Sequence, residues 1–153
     1  MLSSCAYFNT FYNAEKYFNE ADRIRLEKSD KAVPLRAMDN YGKTIQKCKI
    51  VLSDFPDSKY SDDAKDKLVT LRNTLARHEF YVAIYYTDIS SNIAALNRCK
   101  FIIENYPNSL SIPDALYLMA WNYDLIGADE LATDTREILY SSYKNYLPNY
   151  SIN

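Results

Sequence analysis

Apolar residues recur along this chain at alternating steps of three and four, the spacing that gathers them on one side of an α-helix. The first such run, about Asn9 to Glu27, lines up Phe11, Ala14, Phe18 and Ala21. Lys28 to Val33 breaks it, and Pro34 suits the first turn of a second helix. That helix carries Met38, Tyr41, Ile45, Cys48, Leu52 and Phe55 inward and ends before Pro56, because the residue preceding a proline is pushed out of helical geometry. A third helix starts at Ser61, a good N-cap, with Asp62 and Asp63 at the positive end of its dipole. It runs to about Asp88 with an expected inward stripe of Ala64, Leu68, Leu71, Leu75, His78, Val82, Tyr85 and Ile89. Ser90 and Ser91 cap a fourth helix through Asn105, with Leu96, Cys99, Ile103 and Tyr106 inward. The fifth opens at Ser111, Pro113 and Asp114, carries Ala115, Leu118, Met119, Trp121, Asn122 and Leu125, and stops at Gly127. The sixth, about Asp129 to Lys144, places Leu131, Thr135, Ile138 and Ser142 along one side with Leu139 beside it. The Tyr- and Asn-rich tail from Asn145 should fray or lie against the last hairpin.

The same phrase occurs twice. Ile45 to Ser58 returns as Leu96 to Ser109 at a constant offset of 51 residues, and the echo continues into Asp63-Ala64 and Asp114-Ala115. Self-similarity at a fixed period marks stacked units that cannot each bury an apolar face alone. The expected fold is therefore all-α, an α-solenoid of about three antiparallel helical hairpins. With 2 Gly and 5 Pro in 153 residues, the chain lacks the turn chemistry of a hairpin-rich β protein. No segment reads as strand.

Composition narrows the chemistry further. A net charge of −2 gives no pull toward nucleic acid, and Lys65, Arg72 and Arg77 are interleaved with acids rather than grouped. The 2 Gly exclude phosphate-binding glycine loops. Asp62, Asp63 and Asp66 lack the spacing of a calcium loop and read as a charged helix start. Cys48 and Cys99 occupy equivalent places on apolar stripes of successive units, too far apart for a disulfide, and read as buried thiols. His78 is the single histidine and falls on the apolar stripe of the third helix, with Glu79 on another face. A catalytic His needs an orienting partner and a nucleophile, so the reading is non-enzymatic, without metal or cofactor.

Leu2-Ser3-Ser4-Cys5 matches the site at which bacterial lipoprotein signals are cut before a lipidated cysteine. The charged and apolar stretch that precedes such a site is not in this sequence, which leaves a trimmed signal and an accidental match as two readings. On the first, a diacyl-type anchor on Cys5 ties the chain to a membrane. The organisation is then a lipobox and tether over residues 1–8, a repeat domain over 9–144 and a tail over 145–153.

Hairpins that end in aromatic-Pro-[Asp/Asn]-Ser and restart with Asp-Ala resemble tetratricopeptide repeats, whose period is about 34 residues. The longer offset here comes from the overlong helix Lys67 to Tyr86, and that helix resembles the C-terminal part of BamD-type lipoproteins of the outer-membrane β-barrel assembly machine. Ala94-Ala95-Leu96-Asn97-Arg98, Tyr106-Pro107-Asn108-Ser109 and Asp114-Ala115-Leu116-Tyr117-Leu118-Met119 continue the pattern in order and spacing. The likeness covers about residues 55 to 140. It implies a periplasmic scaffold at the outer membrane, held by a lipid on Cys5, that docks onto the POTRA domains of a BamA-like insertase and works beside other assembly-machine lipoproteins. By the same resemblance Arg98 is the first choice for an interface ion pair, with Asn97, Asp88, Tyr85 and Tyr86 around it. Read as an exposed residue, Arg98 predicts that Arg98→Glu weakens docking and spares thermal stability.

The chain departs from the family in two places. Asp88-Ile89-Ser90-Ser91 supplies no Arg before the fourth helix, and about three repeats stand where relatives carry about five, an abbreviation on the N-terminal side. Lys47 occupies the place of Arg98 in the first copy. The alternative reading is a generic repeat lipoprotein of the cell envelope that coordinates the cell wall or secretion machinery.

Overall fold

The computed structural model describes residues 3–28 and 33–150, with side chains described for residues 6–27 and 33–150. Among them six helices follow one another: α1 (Ser3–Lys28), α2 (Leu35–Asp54), α3 (Ser61–Asp88), α4 (Asn92–Asn105), α5 (Ile112–Leu125) and α6 (Asp129–Ser142). The fold is all-α and tetratricopeptide-like. None of the described helices is long and apolar enough to cross a membrane. The chain divides into two compact units, Met1–Arg72 and Asn73–Asn153, and α3 contributes to both.

In the first unit α1 and α2 pack as an antiparallel hairpin around Phe11, Ala14, Cys48 and Val51, and the start of α3 adds Ala64 and Leu68. α1 begins earlier than the period predicts and takes in residues 3–8, which the sequence assigns to the tether. Tyr7 extends the inward stripe there, its ring 5.8 Å from that of Phe55 and 5.9 Å from that of Tyr60. The anchor expected on Cys5 lies outside the residues whose side chains are described. Tyr41 is fully buried, and its hydroxyl donates to Asp22 at 2.5 Å while accepting from Arg25 Nε at 3.1 Å. Burial, then the bond to Asp22, pushes that phenol up to about 12, so it stays a neutral donor. Ser61 is not a cap. It is the first residue of α3, and its hydroxyl donates to the Phe55 carbonyl at 3.0 Å, closing the turn behind Pro56.

The second unit is built on Ala76, Phe80 and Ala83 of α3, Cys99 and Ile102 of α4, and Ala115 and Leu118 of α5. Here the expected stripe of α3 is wrong by about one residue. Tyr85 and Ile89 face water, whereas Ala76, Glu79, Phe80, Ala83 and Thr87 are buried. A strict repeat of seven drifts by roughly 20° per heptad on a straight helix, so over a helix this long the inward face moves to the next residue in line. Small residues at 76 and 83 bracketing Phe80 mark the new face. On α4 the buried residue is Ile102 rather than Ile103, and on α6 Ala132 and Leu139 are buried in place of Leu131 and Ile138, with Thr135 inward as expected. Trp121 and Leu125 are exposed on α5 rather than inward.

A polar side chain is built into this core. Asn122 is fully buried and donates through Nδ2 to the Leu118 carbonyl at 2.8 Å and to Thr87 Oγ1 at 2.9 Å, tying α5 to α3. Cys48 and Cys99 are both buried and free, and burial raises their thiols to about 11 and about 12 respectively, which keeps them unreactive. Gly127 ends α5 at φ +72°, with its N–H on the Asp124 carbonyl.

Candidate docking site

On the outer side of the second unit, the last turns of α3 and the first three turns of α4 leave a groove of about 320 Å³ lined by Tyr86, Ala94, Asn97, Arg98 and Phe101. Ala94 lines it with a small side chain. Its walls are the rings of Tyr86 and Phe101, which lie on facing helices. Asn97 and Arg98 are consecutive on α4 and so supply an amide and a guanidinium at one edge.

Arg98 is held from below. Its Nη1 donates to Glu79 Oε2 at 2.9 Å, with the Glu79 side chain 9% exposed and that of Arg98 42% exposed. A carboxylate this buried is costly unless paired, so the pair fixes the guanidinium plane and leaves its other N–H groups toward solvent. The groove therefore offers two half-wet aromatic walls and an oriented cation, a combination enriched in protein interfaces and suited to a carboxylate beside an apolar side chain. Its volume fits one or two side chains of a partner.

Of the residues singled out by sequence, Tyr86, Asn97 and Arg98 come together at this groove. Tyr85 is 60% exposed and lies outside it, with its ring 5.8 Å from that of Tyr86. Asp88 is exposed at the last residue of α3, also outside the lining. Sequence reasoning missed Phe101, Ala94 and above all Glu79. The signal for Glu79 was present in the Ala76, Phe80, Ala83, Thr87 spacing, which places residue 79 on the same buried side.

His78 sits half-buried beside this pair. Its imidazole is pushed below the usual value by desolvation, which outweighs the upward pull of Glu79, and the Arg98 charge adds a smaller push down. The folded state thus prefers the neutral ring. Its contribution to stability is complete above the unfolded pKa of about 6.5 and is lost as pH falls through the lower folded value. His78→Gln should flatten the stability profile between pH 7.5 and 5, measured by urea unfolding; an unchanged profile would remove His78 as its source. Among the described residues no three His, Cys, Asp or Glu side chains gather as metal ligands. The acids at the start of α3 are exposed, with Asp62 pairing with Lys65 at 2.9 Å.

A family profile described as YfiO, outer membrane lipoprotein, matches residues 7–139. The chain is 32% identical over 119 residues to the outer membrane protein assembly factor BamD of Xylella fastidiosa (strain 9a5c), covering 78% of this chain and 38% of that protein. It is 37% identical over 89 residues to the protein of that name from Neisseria meningitidis serogroup A, covering 58% and 33%. Against the Haemophilus influenzae protein of the same name it is 34% identical over 85 residues, covering 56% and 32%. The chain thus spans less than two-fifths of the length of these relatives.

Proposed function

This chain belongs to the YfiO family of outer membrane lipoproteins, and on that premise we propose that it is a non-catalytic scaffold of outer-membrane protein assembly that docks, through the α3–α4 groove, onto the POTRA domains of a BamA-like insertase. One observation carries the reading: Arg98, carried by the family-like Asn97-Arg98 step, is oriented by buried Glu79 at the rim of a pocket walled by Tyr86 and Phe101. A partner carboxylate would take the free N–H groups of Arg98 while an adjoining apolar side chain fills the space between the rings. Asn97 adds an amide that can both donate and accept. In this reading the chain is held at the periplasmic face of the outer membrane by a lipid on Cys5, beside other lipoproteins of the machine.

Co-purification from detergent-solubilised outer membranes tests the assignment. A POTRA-bearing barrel protein is expected in the eluate of the tagged chain. Its absence, with other envelope proteins retained, would favour a repeat lipoprotein serving the cell wall or secretion instead.

A further inference from the structure

The chain after α6 does not hang free. Residues 146–149 carry no regular structure, yet Tyr146 and Tyr150 are both partly buried against α3 and α5. The Tyr146 hydroxyl donates to the Asp114 carboxylate, and the Tyr150 hydroxyl donates to the Asp114 carbonyl at 3.3 Å. The Tyr150 ring meets Phe80 edge-on at 4.9 Å and joins the core of the second unit. Tyr117 completes the seat, its ring 6.1 Å from that of Tyr146 and 6.2 Å from that of Tyr150. Between the two anchors Leu147 is 82% exposed. The surface therefore reads two phenols four residues apart on an irregular, Pro-containing segment, with Asp114 as acceptor for the first and Phe80 and Tyr117 as walls for the second.

Nothing in that set of contacts depends on the segment being covalently attached. We propose that the α3–α5 surface formed by Phe80, Asp114 and Tyr117 is a second protein-binding site, for extended segments of partner proteins presenting Tyr-x-x-x-Tyr, and that this chain's own tail is its resident occupant. A tethered occupant holds the site at a local concentration of order millimolar, so an incoming segment is discounted by the fraction of time the tail is seated. Burial raises the Asp114 carboxyl above the usual range while the Tyr146 hydroxyl and Arg77 lower it, as a half-buried acceptor that needs a donor should behave. The site is distinct from the groove at Arg98 and stands or falls apart from it.

The test uses the full chain and a fluorescein-labelled peptide of Lys144 to Ser151, read by anisotropy. Tyr146→Ala with Tyr150→Ala in the chain empties the seat, and the labelled peptide should then bind at least tenfold tighter than to the unaltered chain. A peptide with Ala at both tyrosine positions should not bind. Equal affinity for emptied and unaltered chains, or no binding to either, would overturn the proposal. Should the double variant lose its cooperative thermal transition, Tyr146→Phe replaces it: this removes only a hydroxyl, must likewise tighten peptide binding over the unaltered chain, and overturns the proposal if it does not.

Discussion

Arg98→Glu is expected to lower the stability of the chain by about 2–3 kcal/mol, contrary to what an exposed interface arginine would suggest. The reason is Glu79. Its carboxylate is nearly enclosed and takes Arg98 Nη1 at 2.9 Å, so the substitution leaves a buried charge facing a like charge. Breaking a fully buried pair costs roughly 3–5 kcal/mol, and the value here is smaller because Arg98 is partly in water and the pair is screened. Arg98→Gln keeps a neutral donor over Glu79 and should cost about 1 kcal/mol. Combining Glu79→Gln with Arg98→Gln removes both charges and should recover much of the loss of either alone, a coupling of about 1–2 kcal/mol in a double-mutant cycle measured by urea unfolding. Additive single effects would mean that the two side chains do not support one another. The practical consequence is that Arg98→Glu cannot separate docking from folding.

Asn122→Asp should be the more damaging change in the core. The amide nitrogen of Asn122 gives both of its donations to buried acceptors, the Leu118 carbonyl at 2.8 Å and Thr87 Oγ1 at 2.9 Å. An ionised carboxylate has no donor and would face that carbonyl without water, a loss of about 3 kcal/mol or more at pH 7. Its folded pKa would lie well above the unfolded value of about 3.9. A carboxyl raised in this way is tolerated when protonated, so the deficit should shrink as pH falls from 7 toward 4. Asn122→Ala, at about 2 kcal/mol, serves as the reference without a titrating group. Unfolding both variants at pH 7 and pH 5 decides the matter: the gap between them should narrow at pH 5, and a constant gap would show that the site admits water.

How far the sequence was readable follows from what kind of signal each feature leaves. The helices were legible because proline, the Pro-[Asp/Asn]-Ser turns and Gly127 punctuate the chain, and the apolar period between them is long. The inward faces were legible on α1 and at the start of α3, and only in part on α4, α5 and α6, short as those helices are. On α3 the accumulated drift carried the core from Leu75 and Val82 to Ala76, Phe80 and Ala83, and alanines are weak markers of burial beside larger neighbours. Glu79 was passed over although the spacing of its neighbours marks its side as buried, since a charged residue is assigned to water until its partner is seen, and that partner is 19 residues on, across the turn between α3 and α4. Three groove residues, Tyr86, Asn97 and Arg98, were within reach because a family resemblance pointed to their neighbourhood. Phe101 and Ala94 depend on how two helices pack, and Tyr146 and Tyr150 on where an irregular tail settles; neither is periodic.

The docking claim is tested most directly with a residue that lines the groove and takes no part in the buried ion pair beneath it. Phe101 is exposed at the groove wall, with its ring 5.9 Å from that of Tyr106, and Phe101→Glu places a carboxylate where the partner's is expected. The dissociation constant for the POTRA domains, measured by calorimetry with the full chain, should rise at least tenfold in Phe101→Glu while its thermal transition stays within a few degrees of the parent. An unchanged dissociation constant in a folded Phe101→Glu chain would contradict docking through this groove.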